Sequence, residues 1–169
     1  MKTNIPAKIT SFLLVILVFF LYGCRNYIVP EEGALSLESA RINFPKENVS
    51  EALWKGKHLD INYSISQNSD EVEISGTVNI HNSVLMSFDK IEQLVVKFNF
   101  LDNSGRVLGT ADITPRYATY DKVEGPLDFK NVVSTVPGAS SFAFSYLGTL
   151  FGRLNESSDT SEIFQFPFE

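Results

Sequence analysis

The chain has 169 residues, 44% of them hydrophobic and 12% aromatic, and its 20 acidic side chains outnumber 14 basic ones for a formal charge of -6. That length supports one domain with a real core and not two ordinary ones. The acidic balance argues against nucleic acid as a partner, because affinity for it comes mainly from phosphate neutralisation by Lys and Arg, and the single cysteine excludes an intramolecular disulfide.

The first element in chain order is an address. Lys2 and Lys8 precede a largely apolar run from Ile9 to Leu21. A helix crossing about 30 Å of hydrocarbon needs roughly 20 apolar residues, and this run is shorter. A basic start, a short apolar stretch and a small residue before a cut describe a secretory signal peptide, with a short transmembrane anchor as the competing reading. The run closes on Leu21-Tyr22-Gly23-Cys24. This tetrapeptide resembles the lipobox of bacterial lipoprotein precursors, with an aliphatic residue three before the cysteine and a small one directly before it; Tyr22 is bulkier than usual at its place. The resemblance implies cleavage between Gly23 and Cys24, a diacylglyceryl thioether on Cys24 and a third acyl chain on the new amino group. Two or more such chains hold a protein on a bilayer for long times, so the membrane is the first expected partner. Arg25 follows the cysteine where an aspartate would favour inner-membrane retention, and the resemblance therefore implies the bacterial cell envelope, the outer membrane rather than the inner. Loss of Lys2 and Lys8 with residues 1–23 leaves 12 basic residues against 20 acidic ones, a formal charge of -8.

Residues 24–50 carry Pro30, Glu31-Glu32-Gly33 and Pro45 without a sustained apolar period, which reads as a tether holding the body some tens of ångströms from the membrane. Within it, Ala34 to Ile42 and Val49 to Trp54 have the length of a helical turn or a short strand. The body, residues 51–169, declares itself by period-two alternation. Leu59, Ile61, Tyr63 and Ile65 alternate with Asp60, Asn62 and Ser64, and Val72, Ile74, Gly76, Val78 and Ile80 alternate with Glu73, Ser75, Thr77 and Asn79. Both are half-buried strands joined as a hairpin through Gln67-Asn68-Ser69-Asp70.

A second turn cluster, His81-Asn82-Ser83, leads to the longest apolar segment, Ile91 to Leu101, with Leu94, Val96, Phe98 and Phe100 on one face. It is expected to be central and to return through Asp102-Asn103-Ser104-Gly105 into Arg106 to Ile113. Between Thr114 and Asp128 the alternation breaks. Arg116, Tyr117, Tyr120 and Lys122 lie there, and tyrosine beside a basic residue on a loop of a rigid β scaffold is a candidate partner-binding surface; the bland alternative is that both tyrosines cover the sheet edge. Phe129 to Val136 and Ser141 to Leu150 resume as strands around Pro137-Gly138. Ile163 to Phe168 is expected to pair as a final strand, placing Phe164, Phe166 and Phe168 on one buried side.

The run Phe98-Asn99-Phe100-Leu101-Asp102 resembles the Phe-x-Leu-Tyr-Asp signature of the FxLYD domain, a module of prokaryotic surface proteins and lipoproteins. Gly76-Thr77-Val78-Asn79 with Asn82-Ser83 upstream, Asn103 to Gly109 directly after, and Val136-Pro137-Gly138 leading to Phe142-Ala143-Phe144 extend the likeness over about Glu71 to Tyr146. Phe100 and Leu101 depart from the signature's Leu and Tyr. The resemblance implies an antiparallel immunoglobulin-like β-sandwich and, since the signature is core and turn chemistry, no active site. Sandwiches of the plant-desiccation type share this strand and asparagine rhythm and are the structural alternative.

Motifs for chemistry are scarce. His58 and His81 stand at a strand start and a strand end without the cysteine, second close histidine or His-Glu spacing that a zinc site needs. No nucleophile elbow, phosphate-binding glycine loop or dinucleotide fingerprint occurs. The expectation is thus an all-β, non-catalytic envelope lipoprotein without cofactor or metal, serving as an interaction or scaffold module toward an envelope protein partner. A carrier holding an apolar ligand between its phenylalanine-rich sheets is the second reading, and an enzyme with a non-obvious site is the third.

Overall fold

When every second side chain is apolar, those side chains leave water together only if the backbone is extended and its polar groups are paired across a ladder. The computed structural model describes residues 29–45, 49–68, 70–88, 90–115, 125–154 and 157–169. Its strands are β1 (Ile42–Asn43), β2 (Val49–Lys55), β3 (Leu59–Gln67), β4 (Glu71–Ile80), β5 (Lys90–Leu101), β6 (Val107–Asp112), β7 (Leu127–Ser134), β8 (Ser141–Leu154) and β9 (Ser157–Gln165). One sheet has the order β2-β3-β4-β7, and the other the order β1-β8-β5-β6 with β9 also paired to β8. All named pairings are antiparallel. The protein is the all-β sandwich that the alternation implies, with β5 in the interior of its sheet as expected.

The core lies between the sheets. Leu59, Ile61, Tyr63 and Ile65 of β3 and Val72, Ile74 and Val78 of β4 face Leu94, Val96, Phe98 and Phe100 of β5 and Phe142, Phe144 and Tyr146 of β8, all buried. The phenylalanines fill this space ring against ring: Phe98 stacks on Phe142 at 4.7 Å, Tyr63 meets Phe144 edge-on at 5.3 Å, and Trp54 of β2 lies 5.4 Å from Phe144. Each fully buried Phe contributes on the order of 2 kcal/mol, and the ring contacts that cross from one sheet to the other are those of Trp54 and Tyr63 with Phe142, Phe144 and Tyr146.

The sandwich has two ends. At the turn pole, Asn68 Oδ1 accepts the N–H groups of Asp70 and Glu71 between β3 and β4, and Asp102 Oδ1 accepts those of Ser104 and Arg106 between β5 and β6. Gly105 closes the second turn at φ +86°, a conformation L side chains rarely adopt, and a Cβ there would also overlap the Arg41 guanidinium. Hydrogen bonds from Thr135 N to Asp70 O and from Ser140 N to Leu101 O gather the β7–β8 connection at the same end. At the opposite, loop pole are the β2–β3 turn and the one-turn helix Asn82–Leu85 that carries the chain from one sheet to the other.

Two expectations are corrected. The segment read as a tether is, from Pro30 onward, part of the body. Pro30 is buried, Gly33 N and Val107 N bond to Val107 O and Ala34 O across the edge of β6, β1 pairs with β8, and the Phe44 ring lies 5.2 Å from Phe142. The pairing comes in pieces of one or two residues, too short to leave a period in the sequence. In the tail, β9 does pair with β8, but the buried side is the other one. Ile163 sits opposite Gly148, where an added Cβ would meet Ile163 Cγ1 at 2.9 Å, while Phe164 is 59% exposed. Phe168 instead covers a second small cluster of Leu101, Val107 and Ala143 on the outer face of the β5–β8 sheet. Asn99 of β5 is also buried, and its side chain donates to Ala143 O and Ser145 Oγ and accepts from Thr110 Oγ1.

Candidate functional site

The sequence-derived site residues fall in two separate stretches of the chain, 23–24 and 116–122. Gly23 and Cys24, the expected cleavage and lipidation site, lie outside the described residues, as do Arg116, Tyr117, Tyr120 and Lys122 of the candidate partner-binding loop. The shoulders of that loop are described and firmly held. Thr114 Oγ1 accepts the Val96 N–H at 3.0 Å, Thr114 N donates to Asp112 Oδ1 at 2.8 Å, and Asn131 Nδ2 donates to Asp112 O at 3.2 Å, tying the β6 edge to β7 of the facing sheet. Burial alone would raise the Asp112 carboxyl, but hydrogen bonds from Lys97, at 2.7 Å, and from Thr114 outweigh it and hold the group below the usual carboxylate range. A groove of about 290 Å³ lined by Thr114, Asp128, Phe129, Lys130 and Asn131 lies against these shoulders.

A second cluster sits at the loop pole. Antiparallel register places Leu59 opposite Ile80, which brings the flanking histidines side by side, with His81 N donating to His58 O at 2.9 Å. The Tyr146 hydroxyl accepts the backbone N–H of His58 at 3.0 Å and lies 3.0 Å from His58 Nδ1, and His81 Nε2 is 3.0 Å from Asp60 Oδ1. Burial, then the charges of Lys57 and His81, lower the His58 pKa. Burial also pushes the Tyr146 phenol up to about 12, so it stays protonated and available as a hydrogen-bond donor at neutral pH. The hydroxyl accepts the backbone N–H and donates its own proton to an unprotonated Nδ1, an arrangement that fits neutral His58 with its proton on Nε2. Among the described residues no group of three or more His, Cys, Asp or Glu could hold a metal ion. The cluster acts as a clasp between β3, β4 and β8. The proximity of His58 and His81 follows from the hairpin register and was open to inference from sequence; the arrival of Tyr146, 88 positions away from His58, was not.

The outer face of β2-β3-β4 carries a shallow groove of about 540 Å³, lined by Leu53, Asn62, Ser64, Ser75 and Thr77 among others. It is open, its lining is polar and apolar in nearly equal measure, and Glu51 is the one carboxylate among its lining residues. The chain matches no family model, no curated protein and no solved structure.

Proposed function

We propose that the protein is a non-catalytic lipoprotein of the bacterial envelope, anchored through acylated Cys24, whose sandwich serves as an interaction or scaffold module for an envelope protein. The observation that carries this reading is Leu21-Tyr22-Gly23-Cys24 at the end of an apolar run too short to span a bilayer, with Cys24 the only cysteine of the chain. The FxLYD resemblance of Phe98 to Asp102 points to the same class, and the outer membrane is the proposed location. Support comes also from what the polar groups do. His58, Tyr146, Asp102 and Asn99 are engaged in turns and clasps. The core phenylalanines pack against one another, which favours an interaction module over a carrier of an apolar ligand.

A photoreactive amino acid at Tyr120 in the native host tests the interaction reading. The expected result is a discrete adduct with one envelope protein, lost when the same probe stands at exposed Asn103 of the β5–β6 turn. Recovery of no adduct from Tyr117, Tyr120 or Lys122 would overturn the loop as the partner surface.

A further inference from the structure

We propose that β2 is an association edge at which two copies of this chain pair strand to strand about a dyad at Leu53, joining their four-stranded sheets into one. Among the described residues β2 pairs with β3 alone, so its other side is an open sheet edge. Gly56 N donates to Leu59 O at 2.9 Å across the β2–β3 turn, and hydrogen-bonded pairs alternate along an antiparallel ladder. Trp54 and Ala52 therefore direct their backbone groups toward Ile61 and Tyr63, and Leu53 and Lys55 direct theirs to the open side.

Antiparallel self-pairing needs a strand that is its own complement, and Glu51-Ala52-Leu53-Trp54-Lys55 meets that requirement. With Leu53 opposite its counterpart, Glu51 stands across from the partner's Lys55, and Lys55 across from the partner's Glu51. Both residues are exposed, and Glu51 lines the same outer groove as Leu53. Opposite charges facing each other across strands stabilise the pair. Ala52 falls opposite the partner's Trp54, a small side chain against a large one. At the centre Leu53 is 52% exposed, and an apolar side chain left open on an unpaired edge is a site of strand addition. The dyad brings the two leucines together out of water. A register shift between Val49 and Ala52 interrupts the ladder just before this run, which confines the seam to residues 51–55.

The other edges lack this complementarity. β6 is covered at Val107 by residues 33–35, through the bonds of Gly33 and Ala34 and the Leu35 to Arg106 bridge. β9 carries Asp159 and Glu162 and no basic residue, so a second copy meets like charge. On β7, the dyad that sets Asp128 against Lys130 also sets exposed Val132 against Pro126, which has no N–H to donate. Pairing through β2 leaves the interior of each sandwich unchanged and brings the two outer-face grooves side by side, since Leu53 belongs to the lining of each. It needs no lipid anchor, so its failure would leave the Cys24 reading untouched.

Sedimentation velocity of the full-length protein in a mild non-ionic detergent, over a wide range of protein concentration, tests the pairing. The unmodified protein is expected to show a reversible monomer–dimer equilibrium. Glu51→Lys and Lys55→Glu each turn both cross-strand pairs from attractive to repulsive, and each alone is expected to weaken association on the order of tenfold or more. An equimolar mixture of the two variants restores opposite charges at both pairs and is expected to recover the dimer, which also shows that both variants are folded. Two copies sharing a micelle by chance would not respond to these changes. Leu53→Asp is expected to abolish the dimer in the unmodified background. A monomer at every concentration overturns the proposal. So does a dimer that is indifferent to all three substitutions, or a mixture that associates no better than either variant alone.

Discussion

His58 sets a pH dependence of stability through its surroundings in the fold. Its Nδ1 faces the Tyr146 hydroxyl, and burial, Lys57 and His81 all disfavour the imidazolium, so its pKa in the folded protein lies below the ordinary 6.5. The unfolded chain then binds more protons than the native one in the window below 6.5. Stability from this group is complete above about pH 6.5 and is lost as pH falls through that value toward the lowered folded pKa. Urea midpoints at pH 5 and pH 7.5 are expected to rise with pH in the unmodified protein and to rise less in His58→Gln. An identical rise in both would assign the dependence to other groups. Tyr146, held near 12, does not titrate in this range.

At the scale of elements, β9 shows what strand parity costs when it is read from composition alone. Ile163 fills the hollow above Gly148, and Phe164 faces solvent. Ile163→Ala is therefore expected to cost about 2–4 kcal/mol, the range of large-to-small core changes, whereas Phe164→Ala is expected to stay within about 0.5 kcal/mol. Thermal or urea unfolding distinguishes them, and equal losses would contradict the register. Three phenylalanines at alternate positions made the opposite face look buried, because the glycine that receives Ile163 lies on another strand. Elements with their own signature were legible: the alternation of β3, β4 and β5, the hairpin across Asp102 to Gly105, and the positive-φ turn at Gly138. Elements held only by their partners were not. β1 is two residues long, and the bridges Leu35 to Arg106 and Ser36 to Phe168 pair single residues. Nothing in residues 33–44 alternates long enough to announce that they belong to the sandwich.

For the whole molecule, the docking of residues 30–44 on the sandwich leaves five residues between Cys24 and the buried Pro30. On the proposed lipid anchor the module would be held close to a membrane, where high effective concentration makes modest intrinsic affinity enough for a membrane-bound partner. Of the candidate site, the tetrapeptide proposed for lipidation is legible because it is local and linear, as are the basic and aromatic residues of the 116–122 stretch. The clasp of His58, Tyr146, His81 and Asp60 required tertiary structure, since three strands contribute to it or to its edges. The account as a whole depends on what happens at Cys24. Mass spectrometry of the N-terminal peptide of the protein taken from its native membrane tests this most directly. The account predicts a peptide that begins at Cys24 and carries the mass of a diacylglyceryl group on sulfur, absent in a Cys24→Ala variant that is released from the membrane or stalls as precursor. A membrane-bound protein that retains residues 1–23 with an unmodified Cys24 thiol would contradict it.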